Sequence, residues 1–440
     1  MLKRIAIAGA GIRGLGFAKA LLDGGAGPAR LVGLLDTNRR RMAGFCELLG
    51  QAVPAFTDLG ALVAETQPDA LLVCTPDHTH PAVIERGFAA GLAVITEKPM
   101  AIDAPGLGCI VAAEREAGRS LRLAFNMRYM PVAAKVRKLL AEGAIGQVRS
   151  VSADWFIDRT HGTEYFRRWH AHMDQSGGLL VHKATHHFDL LNWFIGDAPQ
   201  RVAAFGSLEM FGGAGPYRGE RCRGCEHLGH CWAAMPQDYL DPAEVVKDAS
   251  RDHLRKLYFD AEAEDGYLRD RCVFRESVDI HDTASVLVQY RNGAQLSYSM
   301  TAYSPYQGFA IALTGTNGRM EVKSISPATR SADMGDQDTI RIITGQRRED
   351  VVMRNEDMPV ETATHGGGDE RMLRDLFADR SGGDPLRQRA GSREGAFSAL
   401  IGICANRAIA EGRMIDVPEP TPEALAAFHA TAPDEATVLR

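Results

Sequence analysis

The chain has 440 residues, 45% of them apolar, and a formal net charge of -6. That length suits a large core and two domains of ordinary size. With no run of Lys and Arg interleaved with aromatics, a nucleic-acid surface is excluded. No stretch approaches the roughly 20 apolar residues of a membrane helix, so a soluble, unprocessed, cytoplasmic protein is expected, with no membrane partner.

From the N-terminus, short apolar runs at Ile5–Ala8, Leu31–Leu35, Ala70–Cys74, Ala93–Thr96 and Leu121–Ala124 alternate with amphipathic stretches. Strand, helix, strand at this spacing predicts a doubly wound parallel sheet, a Rossmann domain over residues 1–125. Gly9-Ala10-Gly11-Ile12-Arg13-Gly14 leaves the first strand and opens a helix, the context in which this glycine spacing binds a dinucleotide. Gly9 allows the tight turn, Gly11 lets a pyrophosphate approach the backbone, and Gly14 lets helix and strand pack closely. The helix start, with Ile12 and Arg13, offers free amides to the phosphates. Asp36 ends the second strand, where a carboxylate receives the ribose hydroxyls, and this favours NAD. Arg39, Arg40 and Arg41 just downstream keep NADP open, or else form a solvated helix start.

Residues 126–415 read differently. Runs at Val148–Ile157, Gln200–Ser207, Ala284–Tyr290, Ala294–Thr301 and Phe309–Leu313, with a turn at Arg291-Asn292-Gly293, predict an α/β domain around a large, mainly antiparallel open sheet. One helix, Gly178 to Phe194, is expected at the seam of the domains. Residues 211–270 form an insertion rich in charge, Gly and Cys. Asp369–Asp379 and Glu394–Glu411 are expected as closing helices, and 416–440 as a loosely held tail.

Cys74-Thr75-Pro76-Asp77-His78-Thr79-His80, Thr96-Glu97-Lys98-Pro99, Phe125-Asn126-Met127-Arg128-Tyr129 and the helix after Gly177, together with the glycine motif, closely resemble the glucose-fructose oxidoreductase, inositol dehydrogenase and MocA family. The resemblance covers nearly the whole chain and fails only over the insertion. It implies hydride transfer between nicotinamide and a hydroxyl carbon of a sugar, sugar derivative or cyclitol. It also implies a homo-oligomer, dimer or tetramer, built on the open sheet. Thr75, Pro76, His80, Glu97, Lys98 and Asn126 are then expected around the cofactor, with Lys98 beside the nicotinamide and the reacting hydroxyl. The family's seam helix carries an Asp and, four residues later, a His; here these positions are His182 and His186.

Residues four apart on a helix share a face, so His182 and His186 are both expected in the interdomain cleft, with His187 and Asp189 pointing elsewhere. His186, an imidazole that titrates near neutrality, is expected to accept the hydroxyl proton, and a charged Lys98 would stabilise the alkoxide. His182 departs from the family's Asp and cannot be a permanent anion, so either the proton relay runs differently or the substrate is acidic. A zinc site on His182 and His186 is a rival, without the Glu of His-Glu-x-x-His. Arg168, His170 and His172 either face the same cleft or are solvated. Two other functions stay open: a sugar lyase or glycosidase that oxidises its substrate only transiently with bound NAD, and a nonenzymatic dinucleotide-binding sensor.

Cys46, Cys74, Cys109 and Cys404 stand singly in apolar contexts and are expected in the core. Cys222, Cys225, Cys231 and Cys272 are expected to hold one structural metal centre that orders the insertion. Zinc is the first choice and an iron–sulfur cluster the second, with His227 or His230 as substitute ligands.

Overall fold

The computed structural model describes residues 2–24, 27–240, 252–326, 329, 338–345, 347–353, 367–377 and 382–431. Six strands, β1 (Arg4–Ala8), β2 (Arg30–Leu35), β3 (Ala55–Phe56), β4 (Ala70–Val73), β5 (Ala93–Thr96) and β6 (Arg122–Leu123), form a parallel sheet in the order β3-β2-β1-β4-β5-β6. The order reverses beside β1, and helices pack on both faces, so the central strands are apolar throughout: β1 and β4 bury nearly every residue. At two residues, β3 is too short to leave a periodic signal.

The second sheet has nine strands: β7 (Val148–Asp158), β8 (Pro199–Ser207), β9 (Thr283–Tyr290), β10 (Gln295–Ser304), β11 (Gly308–Gly315), β12 (Arg319–Ile325), β13 (Asp338–Thr344), β14 (Arg347–Met353) and β15 (Ile415–Asp416). Their order is β14-β13-β12-β11-β7-β10-β9-β8-β15, antiparallel except for β7 against β10. Burial alternates along β9 and β10, so one face packs on helices while the other stays open. Gly293, at φ 82°, turns β9 into β10 as the Arg291-Asn292-Gly293 signal predicted.

Three features depart from the sequence expectation. The seam helix is broken at Lys183 into Leu179–His182 and Ala184–Ile195, with the His186 amide donating to the Lys183 carbonyl three residues back. The stretch expected as a loose tail holds a helix, Pro422–Ala430, capped by the Thr421 hydroxyl accepting from the Ala424 amide, with Leu425 fully buried in the first domain's core; 432–440 lie outside the described residues. Met372, Leu376 and Phe377 of the helix Gly368–Phe377 and Phe397 and Leu400 of Ser392–Glu411 also pack into cores of the first domain. Finally, of the four cysteines expected in the core, Cys404 is buried, Cys46 and Cys74 are half-buried, and Cys109 is exposed.

Candidate active site

The glycine turn is built as its spacing demands. A Cβ on Gly9, whose φ is +104°, would lie 2.5 Å from the Cys74 carbonyl oxygen, and one on Gly14 would lie 2.3 Å from the Gly9 carbonyl oxygen. At Gly11 the nearest atom is the Tyr258 hydroxyl at 3.7 Å, so the cradle is open there. The N-cap residue Gly11 has no side chain to cap the helix that begins at Ile12, so beyond the Ile12 amide, which meets the Tyr258 hydroxyl, the first-turn amides face an anion. Asp36 braces this turn, one carboxylate oxygen accepting from the Ala10 amide at 2.8 Å and the other from the Asn38 amide at 2.8 Å.

Around the cradle, Arg13 is paired with Glu97 and donates to Asp369 at 3.0 Å, and the Asn126 side-chain amide donates to the same Asp369 oxygen at 2.9 Å. Four expected or neighbouring polar residues from distant segments thus close one network beside the turn. The Asn126 Oδ1 is buried with no hydrogen-bond partner among the described residues, an acceptor that a bound carboxamide would satisfy. Thr75 and Pro76 form the loop after β4, where the Thr75 hydroxyl accepts from Thr79. His80 lies under that loop, its ring nitrogens facing the Pro99 and Thr75 carbonyl oxygens at 2.8 and 2.9 Å. It therefore straps the two motif loops together, which differs from the expected cofactor contact.

Lys98 and His182 meet at the domain seam. The Lys98 ammonium donates to the His182 carbonyl at 2.9 Å and stands 3.4 Å from His182 Nε2. On the other side of the ring, Nδ1 is 2.5 Å from Asp77 Oδ2, a contact across 105 positions that no local pattern announces. Asp77 and His182 are buried in the seam and Lys98 is half-buried beside them. Burial pushes the Lys98 pKa down, with Asp77, Tyr165 and Glu97 opposing; burial and the nearby cations push the His182 imidazole well below its usual value. Because an ammonium has no acceptor, the Nε2 facing Lys98 must be unprotonated, so the proton lies on Nδ1 and is donated to Asp77. Tyr165, Trp169 and His170 wall the ring in, with His170 centred 4.2 Å from it.

His186 is buried one turn on, edge-to-face with Phe125. His187 turns to the sheet, donating or accepting at the Tyr298 hydroxyl and stacked on Trp155; Asp189 is gripped by Arg128. Lys183 is buried beside the same cleft and pushed down to about 8, chiefly by desolvation. His172 faces Arg275 instead.

The insertion leans on the dinucleotide side of the first domain. The Tyr258 hydroxyl accepts from the Ile12 amide at 3.2 Å, and the Arg269 guanidinium lies over the Tyr258 ring. Glu264 accepts from the Arg39 and Arg40 amides at 2.8 and 2.9 Å, Ala261 accepts from the Asn38 side chain, and Arg41 donates to Asp265 at 2.6 Å and to the Leu257 carbonyl at 2.9 Å. The arginine segment that kept NADP open is thus already occupied by insertion groups.

Cys222, Cys225, Cys231 and Cys272 do converge, lining one cavity of about 20 Å³. Yet among the described residues no three His, Cys, Asp or Glu side chains are arranged to hold an ion, neither there nor at His182 and His186. Two of the sulfurs accept from the chain: Cys222 from Arg167 at 3.0 Å and from the Met235 amide at 3.5 Å, Cys272 from the Phe274 amide at 3.4 Å.

Known proteins place this architecture. The pattern described as the oxidoreductase family's NAD-binding Rossmann fold matches residues 3–125, and that of the family's C-terminal alpha/beta domain matches residues 137–417. The chain is 34% identical over 425 residues to a Bacillus subtilis protein named as an oxidoreductase, YteT, covering 92% of this chain and 95% of that protein. It is 30% identical over 220 residues to the inositol 2-dehydrogenase of Rhizobium meliloti, covering 49% and 63% of the two chains. Levoglucosan dehydrogenase, solved with NADH and levoglucosan, superposes with a TM-score of 0.65 at 18% identity, over 95% of this chain and all of that one. The Bordetella pertussis WlbA dehydrogenase, solved with NADH and UDP-GlcNAcA, superposes at 0.63 with 20% identity, over 95% and 99%. At these identities the two structures show a shared fold.

Proposed function

Since this chain belongs to the glucose-fructose oxidoreductase, inositol dehydrogenase and MocA family of oxidoreductases and carries its NAD-binding Rossmann domain, we propose that it is a dehydrogenase of a sugar, sugar derivative or cyclitol. The observation that carries the reading is the meeting of Lys98, from the end of the first sheet, with His182 of the second domain, in a buried seam beside an open glycine cradle. The glycine turn and the helix amides after Ile12 would hold the pyrophosphate, Asp36 the ribose, and Asn126 Oδ1 the carboxamide. When bound, the nicotinamide accepts the hydride from the carbinol carbon. Lys98 holds the hydroxyl and stabilises its developing negative charge. The hydroxyl proton goes to His182, whose Nε2 faces Lys98, rather than to the His186 expected from the sequence, which packs against Phe125.

NAD is the cofactor we assign over NADP, because a 2′-phosphate would have to displace Glu264 from the Arg39 and Arg40 amides and meet Asp265 as well. The open sheet face bears Phe205 and Leu287, 83% and 59% exposed on neighbouring strands, and we place self-association there. All eight cysteines are unpaired, which fits a reducing cytoplasm. For the four insertion cysteines we propose a structural ion, zinc before an iron–sulfur cluster; the support is their convergence on one cavity with chain donors already turned to the sulfurs. Elemental analysis of protein purified anaerobically without a metal-affinity tag is expected to find about one equivalent of zinc, or iron with sulfide; a metal-free chain of the same stability rejects it.

The function is tested by incubating sugars, sugar acids and cyclitols with NAD and NADP and following the nicotinamide absorbance. Net reduction of NAD by at least one polyol is expected. A substrate consumed with no net NADH points to transient oxidation, as in a lyase or glycosidase, and no turnover of any kind leaves only a dinucleotide sensor.

A further inference from the structure

Within the dehydrogenase reading, on which this rests, we infer that Asp77 is the positioning residue that makes His182 a proton acceptor. The seam helix supplies His182 but no anion at this corner: its one carboxylate, Asp189, is spent on Arg128. The carboxyl beside Lys98 comes instead from the other domain, from the short turn Asp77–Thr79 that follows β4; burial pushes its pKa well up, and the cations Lys98 and Arg168 pull against that. Asp77 is 3% exposed, and its Oδ2 lies 2.5 Å from His182 Nδ1.

Three consequences follow from that geometry. A neutral imidazole can be protonated on either nitrogen, and only the Nδ1–H form leaves Nε2 able to accept; a carboxylate at Nδ1 selects that form. When Nε2 takes the substrate proton the ring becomes a cation 3.4 Å from a lysine, an arrangement that the buried carboxylate on the far side offsets. Third, His182 and Asp77 belong to different domains, so the contact sets the ring's place across the cleft as well as its tautomer. The step balances without further groups: the carbinol carbon loses hydride to the nicotinamide, the hydroxyl loses its proton to Nε2, and a carbonyl is formed. Walls of Tyr165, Trp169 and His170 keep the ring from turning away.

The test is a set of five variants and two readouts. Asp77→Asn keeps the shape and removes the charge; kcat is expected to fall at least tenfold with KM changed less than about threefold, and the acid limb of the kcat–pH profile to move, with cofactor binding and thermal midpoint near wild type as controls on folding. Asp77→Glu should recover part of the rate. His182→Asp sets two carboxylates against one another and should be poor, whereas the double variant Asp77→Asn with His182→Asp relieves that repulsion and should exceed the single His182→Asp variant. The second readout needs no substrate: in nitrogen-15 histidine spectra, the signal lost in His182→Ala should show the Nδ1–H tautomer in wild type and change tautomer or titrate in Asp77→Asn. An Asp77→Asn enzyme with wild-type rate and an unaltered His182 signal, or a double variant no better than His182→Asp, overturns the inference. Should no polyol be turned over, the dehydrogenase reading falls and the spectra alone decide the role of Asp77.

Discussion

Two buried pairs anchor the seam helix, an ion pair at Asp189 and a carboxyl on a neutral imidazole at His182, and their difference separates architecture from chemistry. Arg128 grips Asp189 with two nitrogens, at 2.6 and 2.7 Å, and both side chains are almost wholly buried. Asp77 and His182 are buried to nearly the same extent. In the first pair a fork of two N–H groups meets both carboxylate oxygens, and the remaining Arg128 nitrogen donates to the Arg387 carbonyl; every group is spent, and the pair acts as a rivet. In the second, the carboxylate meets one N–H of a ring whose opposite nitrogen stays open toward Lys98. A site is recognised by the hydrogen-bonding capacity it leaves unused.

The comparison is broken most severely at Lys98. Lys98→Ala removes the cation 3.4 Å from the reacting end of His182, and kcat is expected to fall by about 10²–10³, as when a single donor to a developing oxyanion is lost. Cofactor titration should remain near wild type, because the glycine turn does not depend on this side chain. Near-normal turnover would remove Lys98 from the mechanism.

Arg128→Ala attacks the rivet and is expected to show up in stability. Leaving Asp189 buried and alone should cost about 3–5 kcal/mol, read by denaturant unfolding. Arg128→Met with Asp189→Leu should recover most of it, since an apolar pair of similar size replaces a buried ion pair with little loss. The substrate KM of the folded fraction should stay near wild type. A variant with full stability and impaired KM would move Arg128 from scaffold to site.

What the sequence allowed to be read, and what it hid, divides along the same line. The glycine turn, the position of Asp36 just after β2 and the apolar alternation of β9 and β10 are local patterns, in which a few adjacent residues decide the conformation. The closing helix Pro422–Ala430 was readable but overlooked: Thr421-Pro422-Glu423 is a capping residue, a proline at the first helical position and an acid in the first turn. Asp77 carried no such mark. It stands in a recognisable motif, but its partner is 105 positions away, and only the packing of two domains brings them together. Tyr258 and Glu264 were hidden likewise, since an insertion without strand pattern gave no sign of where it would dock.

That docking makes a smaller and sharper prediction for the cofactor. Asp36→Ala should weaken NAD by about 1.5–3 kcal/mol, the value of hydrogen bonds to a charged group, and weaken NADP less. Glu264→Gln should raise NADP affinity relative to NAD while leaving NAD almost unchanged, since Glu264 caps the Arg39 and Arg40 amides and touches nothing that holds the ribose. Titrating both variants with both cofactors decides it. Tighter binding of NADP than NAD by the wild type would hand the assignment to Arg39–Arg41.

The smallest effect concerns a cation with neither rivet nor relay. Lys183 is buried next to the cleft with no carboxylate at ion-pair distance among the described residues; desolvation pushes its pKa down to about 8, against a weaker pull from Asp158. The folded value lies below the unfolded one, so the unfolded chain binds more protons between about pH 8 and pH 10.4, and stability from this group rises with pH across that window. Below it, the native state bears the full cost of keeping an ammonium out of water. Lys183→Met removes that cost, so the variant should be more stable than wild type at pH 7, on the order of 1–3 kcal/mol, and the margin should shrink toward zero near pH 10. Denaturant unfolding of both proteins across that range gives the answer. A margin that does not change with pH would mean that Lys183 is as well solvated in the folded chain as in the unfolded one, and that the cleft is wetter at this corner than at Asp77 and His182.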